Sequence, residues 1–145
     1  MVFLTMEDEM RNAIVGKRIL NVYIDEDCLV LETDQGLVTY GVYGDCCSSS
    51  YFNDFLGVGD MVGNIVNDLQ PFHLEPEEIV TDDWNYIQFY GYSFTYLDPK
   101  WGKRTAVVSF RNESNGYYGG WMELFDSPPA VLPPLVVGND WYGND

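Results

Sequence analysis

Short runs of β-branched and aromatic residues, separated by turn residues, recur along most of the chain. Residues 19–24, 28–33 and 37–43 are three such runs, with Asp25-Glu26-Asp27 and Asp34-Gln35-Gly36 between them. In the first run, apolar side chains alternate with more polar ones, as in a strand with one buried face. The pattern predicts an antiparallel meander of three strands joined by tight turns.

The same signal returns in the second half of the chain. Four further runs cover residues 84–90, 92–97, 105–110 and 117–125, and they are separated by Gly91, by residues 98–102 and by Asn115-Gly116. Aromatic and β-branched residues are favoured in strands, and Asn-Gly is a common hairpin turn. We therefore predict four more strands.

Helical signals are confined to two places. Thr5 to Asp8 has the form of a capping box, and Met10 and Ile14 share a helical face, so residues 6–15 are predicted to form a helix that ends at Gly16. Residues 48–56, with three serines before an apolar group, are predicted to form a short second helix closed by Gly57.

The remaining segments carry weaker signals. Residues 61–69 are predicted as a strand interrupted by Gly63, and residues 70–83 as a loop because they contain two prolines and five acids. The tail after residue 127 contains Pro128, Pro129, Pro133 and Pro134, which favours extended packing or a mobile peptide over another strand.

Together these elements predict an α+β fold that is mainly antiparallel β. We expect seven or eight strands in a sandwich or partly closed barrel, with a short N-terminal helix and one further short helix. A chain of 145 residues supports one core, so we expect a single β-rich domain over residues 1–126 and a Pro-rich tail over 127–145. No membrane span or export signal is evident, so we expect a cytoplasmic protein.

The charge distribution favours a basic partner. The net charge is −16, and residues 19–99 contain fifteen acids without a single Lys or Arg. Direct binding of duplex nucleic acid by this stretch is disfavoured, because phosphate contacts need basic side chains. The densest acids form a predicted acidic binding face: Glu75, Glu77, Glu78, Asp82 and Asp83.

Catalytic and metal-binding patterns are weak. A Cys–His enzyme would need His73 beside Cys46 or Cys47, but a buried cysteine is more often a small hydrophobic residue than a nucleophile. We expect Cys46 and Cys47 to be structural and the protein not to be an enzyme. The sequence has no C-x-x-C pair, calcium loop or phosphate-binding loop. We therefore predict no metal or cofactor.

Residues 110–120 form the alternative candidate site. Arg111 offers a fork of donors, Asn112 and Asn115 offer amides, and Tyr117 and Tyr118 offer aromatic faces, a set that suits a small nucleotide-like ligand. A simple hairpin turn at Asn115-Gly116 also explains part of the segment. Both interpretations stay open.

Three motifs resemble a family of small phage and prophage proteins of unknown function. They are a strand at residues 17–22, Gly-Asp-Cys-Cys-Ser at 44–48, and Arg-Asn-x-Ser-Asn-Gly-Tyr-Tyr-Gly-Gly at 111–120. The resemblance implies a phage setting but no activity. We therefore expect an inhibitor that binds a basic surface of a host protein, such as a nucleic-acid-binding or defence component. The alternative is a protein that sequesters a nucleotide-like defence signal.

Overall fold

The computed structural model describes residues 4–45, 48–81, 85–114 and 119–143, with the side chains of 73–81, 85 and 86 outside the description. Helix α1 (Met6–Ile14) begins as predicted. The Thr5 hydroxyl accepts a hydrogen bond from the Asp8 N–H at 3.0 Å, and the Asp8 carboxylate accepts one from the Thr5 N–H at 3.2 Å. These bonds satisfy N–H groups at the helix start. The Thr5 N–H also lowers the pKa of Asp8.

Nine strands and a second short helix follow within the described residues. They are β1 (Ile19–Ile24), β2 (Cys28–Thr33), β3 (Gly36–Gly44), β4 (Ser48–Leu56), α2 (Val58–Met61), β5 (Val66–Thr81), β6 (Asn85–Asp98), β7 (Gly102–Ser114), β8 (Gly120–Leu124) and β9 (Trp141–Tyr142). All strand pairs are antiparallel. The predicted meander of β1, β2 and β3 is confirmed.

The strands form two sheets that share one core. The first sheet has the order β1-β2-β3-β8 and the second the order β5-β6-β7-β4-β9. Tyr40 of β3 and Phe94 of β6 meet edge to face between them, with ring centroids 6.2 Å apart. The prediction of a mainly antiparallel α+β fold is therefore confirmed. The described strands make two sheets rather than a closed barrel.

The two ends of the chain join the sheets on opposite sides. Helix α1 contacts both β5 and β8, the edge strands on one side, and its Arg11 Nε donates to the Leu69 carbonyl of β5 at 3.2 Å. On the other side, the Ile24 N–H of β1 donates to the Pro134 carbonyl at 3.1 Å, and β9 pairs with β4. The tail packs against both sheets and also supplies a short strand.

The prediction of a helix over residues 48–56 is wrong, because this segment is strand β4. Phe52 and Phe55 are both fully buried, and two buried residues three positions apart are also typical of a helix. Their shared face comes instead from a bulge: Phe52 and Asp54 pair with the neighbouring residues Phe110 and Ser109 of β7, so Asn53 is an extra residue. A bulge shifts the two-residue alternation by one position. The further short helix lies next in the chain, as α2.

Two other boundaries differ from the predictions. Residues 70–81 belong to strand β5 rather than to a loop, and β5 tolerates Pro71 and Pro76 because it lies at the edge of its sheet. Residues 85–98 form the single strand β6, since Gly91 continues the ladder by pairing with Phe72 and Ser109. Among the helices described, neither is long and apolar enough to cross a membrane.

Candidate functional site

An acidic turn lies between β1 and β2. One carboxylate oxygen of Asp25 accepts hydrogen bonds from the backbone N–H groups of Asp27 and Cys28, both at 2.8 Å. The carbonyl of Glu26 accepts from the Phe52 N–H at 2.8 Å, which ties the turn to β4. The Asp25 carboxylate and the contact with β4 thus hold the turn, and the carboxylates of Glu26 and Asp27 make no hydrogen bond to any residue that the structure describes.

The C-terminal tail supplies the other wall of a groove beside this turn. Trp141 and Tyr142 pair with Phe55 and Asp54 of β4, and this pairing places both aromatic residues next to the acids. The groove has a volume of about 430 Å³. We call this concavity the acidic groove. Its main lining residues are Asp25, Glu26, Asp27, Pro134, Trp141 and Tyr142.

The acidic groove carries no neutralising base among the described residues. Arg11 pairs with Asp8 and Asp68, at 3.0 and 3.3 Å, and Arg104 pairs with Asp60 at 3.5 Å. These ion pairs lie outside the groove. A concave site with three carboxylates and two aromatic rings favours a cation, because both the carboxylates and the faces of the rings attract positive charge.

The acidic face predicted from the sequence lies mostly along β5. Glu75, Glu77 and Glu78 belong to this strand, at the opposite edge of the second sheet from β9, and their side chains are outside the description. Asp82 and Asp83 lie outside the described residues. The structure therefore places the backbone of Glu75, Glu77 and Glu78 on the edge away from the acidic groove, and the role of the predicted face stays a prediction.

The alternative ligand site is divided between two faces. Arg111 and Asn112 are consecutive in β7, so their side chains point to opposite sides of the sheet. The Arg111 guanidinium lies over the Phe89 ring at 4.8 Å, next to Tyr51, whose hydroxyl donates to the Glu113 carboxylate at 2.9 Å. Asn115, Tyr117 and Tyr118 lie outside the described residues. Arg111 and Asn112 thus do not face one ligand together.

Asn112 instead connects the two motif segments inside the fold. Its side chain is fully buried, and its Nδ2 donates to the hydroxyls of Ser50 and Ser48 at 2.9 and 3.2 Å. The Ser50 hydroxyl donates in turn to the Tyr43 carbonyl of the other sheet at 2.6 Å. The Oδ1 atom of Asn112 has no hydrogen-bond partner among the described residues.

Glycines make this arrangement possible. Gly44 and Gly120 pair between β3 and β8 and face Asn112. A Cβ on Gly120 would lie 2.4 Å from the Ser50 hydroxyl, and one on Gly44 would lie 2.3 Å from the Ser48 hydroxyl. We call these five residues, Gly44, Ser48, Ser50, Asn112 and Gly120, the polar layer. Through the polar layer, Gly44 and Ser48 meet Asn112 of β7.

The described part of the chain contains few groups for cysteine or metal chemistry. Cys46 and Cys47 lie outside it, and the side chain of His73 is not described, so the expected structural role of the two cysteines stays a prediction. Cys28 is buried, and burial raises the pKa of its thiol to about 11, with a further contribution from Asp25 and Asp27. The described residues contain no group of three or more His, Cys, Asp or Glu arranged to hold a metal.

Sequence reasoning missed the aromatic half of the acidic groove. It placed residues 25–27 in a turn and counted them among the fifteen acids of residues 19–99, and it predicted extended packing or a mobile peptide for the tail. The available signal was Asp140-Trp141-Tyr142, an aromatic pair beside an acid at the end of a Pro-rich segment. Its contact with β4 is a long-range pairing that local patterns do not contain.

A comparison with known protein families finds a match for most of the chain. Residues 12–124 match a domain of unknown function, DUF7448. The chain belongs to this family. The matched span contains β1 to β8 and both segments of the polar layer, whereas most of α1 and the whole tail lie outside it. No curated protein and no solved structure matches the chain significantly.

Proposed function

We propose that this DUF7448 protein is a non-enzymatic binding protein that attaches to a basic surface of a partner protein. The acidic groove is the observation that carries this proposal, because it joins three carboxylates and two aromatic residues in one concavity. On the phage setting that the motifs resemble, the partner is a host protein, for instance a nucleic-acid-binding component of a defence system.

The groove suits the side chain of a lysine or arginine. The alkyl stem of such a residue packs on the aromatic rings, and its charged head reaches the carboxylates. Asp25 is already bound to the backbone of the turn, so Glu26 and Asp27 are the carboxylates free to pair with a ligand. The net charge of −16 adds a long-range field that attracts a basic partner and speeds encounter.

The first experiment measures binding of an oligolysine peptide by calorimetry, with an oligoglutamate peptide of equal length as the negative probe. We expect the double variant Glu26→Gln, Asp27→Asn to bind oligolysine about tenfold more weakly, since two exposed ion pairs contribute up to about 1 kcal/mol each. The matched control, Glu7→Gln with Glu9→Gln, changes the net charge equally on exposed residues of α1 and should retain most of the affinity.

A second experiment compares the contribution of the acidic groove to binding with that of the acidic face predicted from the sequence. Glu75, Glu77, Glu78, Asp82 and Asp83 are replaced together by their amides, and affinity is measured between low and high salt. We expect a steep loss of affinity with salt for the parent protein, because exposed charges are screened. An affinity that stays flat with salt, or that survives neutralisation of both acidic sets, would contradict the proposal.

A further inference from the structure

The hairpin between β6 and β7 carries an exposed basic and aromatic tip. Trp101 is 66% exposed and Leu97 is 57% exposed, and the ammonium group of Lys100 lies 5.0 Å from the centroid of the Trp101 ring. Lys103 is exposed beside them and pairs across the hairpin with Leu97. We call Leu97, Lys100, Trp101 and Lys103 the basic tip. Two exposed large apolar side chains on one hairpin end, flanked by two lysines, offer both apolar area and positive charge for a contact.

The backbone of the basic tip is held by hydrogen bonds. One carboxylate oxygen of Asp98 accepts hydrogen bonds from the N–H groups of Lys100 and Trp101, at 2.8 and 3.0 Å, which fixes the turn. The ladder between β6 and β7 continues without a register shift from Asp98 and Gly102 to Tyr86 and Ser114. A preformed tip of this kind loses little conformational entropy when it binds.

The basic tip and the acidic groove are complementary in shape and charge. The tip is convex, with two lysines and an exposed indole, and the groove is concave, with three carboxylates and two aromatic residues. We propose that the basic tip of one copy of this protein docks in the acidic groove of a second copy. Aromatic contacts would supply the apolar area, and the lysines would pair with Glu26 and Asp27.

The tip does not reach the groove of its own chain. Trp141 of the groove pairs with Phe55, which pairs with Val108 of β7, and Lys103 lies five residues further along the same strand. At about 3.4 Å per residue this separation is roughly 17 Å along a rigid sheet. A second molecule must therefore provide the tip. Two such contacts form at once if the copies are related by a two-fold axis.

The net charge of −16 on each copy opposes this contact over long distances. At about 0.15 M ionic strength the Debye length is about 8 Å, so distant charges are screened while charges in direct contact still attract. We expect weak, reversible self-association at that ionic strength, and less of it both at very low salt and at molar salt.

A charge-swap experiment tests the pairing. One variant carries Lys100→Glu and Lys103→Glu, and the other carries Glu26→Lys and Asp27→Lys. Each variant alone has a tip and a groove of like sign and should sediment as a monomer at all concentrations. Their mixture should associate at least tenfold more tightly than either variant alone. Circular dichroism verifies that both variants are folded.

Two outcomes would overturn the inference. The first is a parent protein that remains monomeric over the whole accessible concentration range at about 0.15 M ionic strength. The second is a mixture that associates no better than the separate variants. The test is distinct from that of the proposed function, because Lys100→Glu with Lys103→Glu leaves the acidic groove intact and should still bind oligolysine. Loss of self-association with retained oligolysine binding would be the expected result for that variant.

Discussion

The inner face of the second sheet changes character along its strands. At one end, Phe94 of β6 packs against Phe55 of β4 and Tyr40 of β3, with ring centroids 5.6 and 6.2 Å away. At the other end, two residues beyond Phe110 on the same face of β7, Asn112 lies among serine hydroxyls and glycines. The same pair of sheets is therefore held at one end by Tyr40, Phe55 and Phe94, here called the aromatic layer, and at the other end by the polar layer.

The difference shows how the two ends specify structure. The aromatic layer depends on buried volume and is non-directional, so it stabilises the sandwich without fixing which groups meet. The polar layer depends on directed hydrogen bonds from Asn112 to Ser50 and from Ser50 to the Tyr43 carbonyl. It lies where β4 approaches β3 closely, at Gly44 and Ser48.

The largest expected effect is in the aromatic layer. Phe94→Ala removes a fully buried ring that contacts both sheets, and we expect it to lower the free energy of unfolding by about 3–5 kcal/mol. Urea denaturation at neutral pH measures this change. The exposed Phe72 of β5 offers a matched control, since Phe72→Ala should change stability far less. Equal losses in the two variants would show that the aromatic layer is not the dominant core.

The polar layer should respond to added volume. Gly120→Ala would place a Cβ 2.4 Å from the Ser50 hydroxyl, and we expect it to cost about 1–3 kcal/mol. The double variant Gly120→Ala, Ser50→Ala removes the clashing oxygen, so it should lose less stability than the sum of the single changes. Urea denaturation of all four proteins gives the coupling free energy. Strict additivity would mean that the two residues do not meet.

The smallest effect at neutral pH concerns Tyr92, a buried residue of β6 that stacks on Phe110 of β7. Burial raises the pKa of Tyr92 to about 12 from the model-peptide value of 10.0, because the phenolate is disfavoured there. Its contribution to stability is therefore complete below pH 10 and is lost as the pH rises towards 12. We expect Tyr92→Phe to flatten the alkaline decline in urea midpoint without removing it, since Cys28 titrates in an overlapping range. An unchanged decline would place Tyr92 in contact with water.

Much of the first sheet could be predicted from the sequence because its information is local. The turns at Asp25 to Asp27 and Asp34 to Gly36 join strands that pair directly, so alternation and turn chemistry suffice. Strand β4 could not be predicted in this way. Its bulge at Asn53 places Phe52 and Phe55 on one face, and only pairing with β7 distinguishes that arrangement from a helical turn.

The candidate site was predictable only in part. The charge of residues 25–27 is visible in the sequence, but the neighbouring Trp141 and Tyr142 arrive through a pairing with β4 across more than eighty residues. Sequence reasoning placed Arg111 and Asn112 in one candidate site. Their division between two faces follows from the strand alternation of β7, which the Asn-Gly turn signal does not reveal.

The tail has a consequence for how the chain is made. Pro134 and Val136 hydrogen-bond to β1, and β9 covers the edge of β4, so both contacts involve residues that are synthesised after the strands they cover. Synthesis proceeds from the N-terminus, and an unpaired strand edge is a template for other chains. Until residues 134–142 emerge, the nascent protein exposes these two edges. A product that stops before residue 133 keeps them exposed, so we expect it to aggregate more readily than the chain of 145 residues.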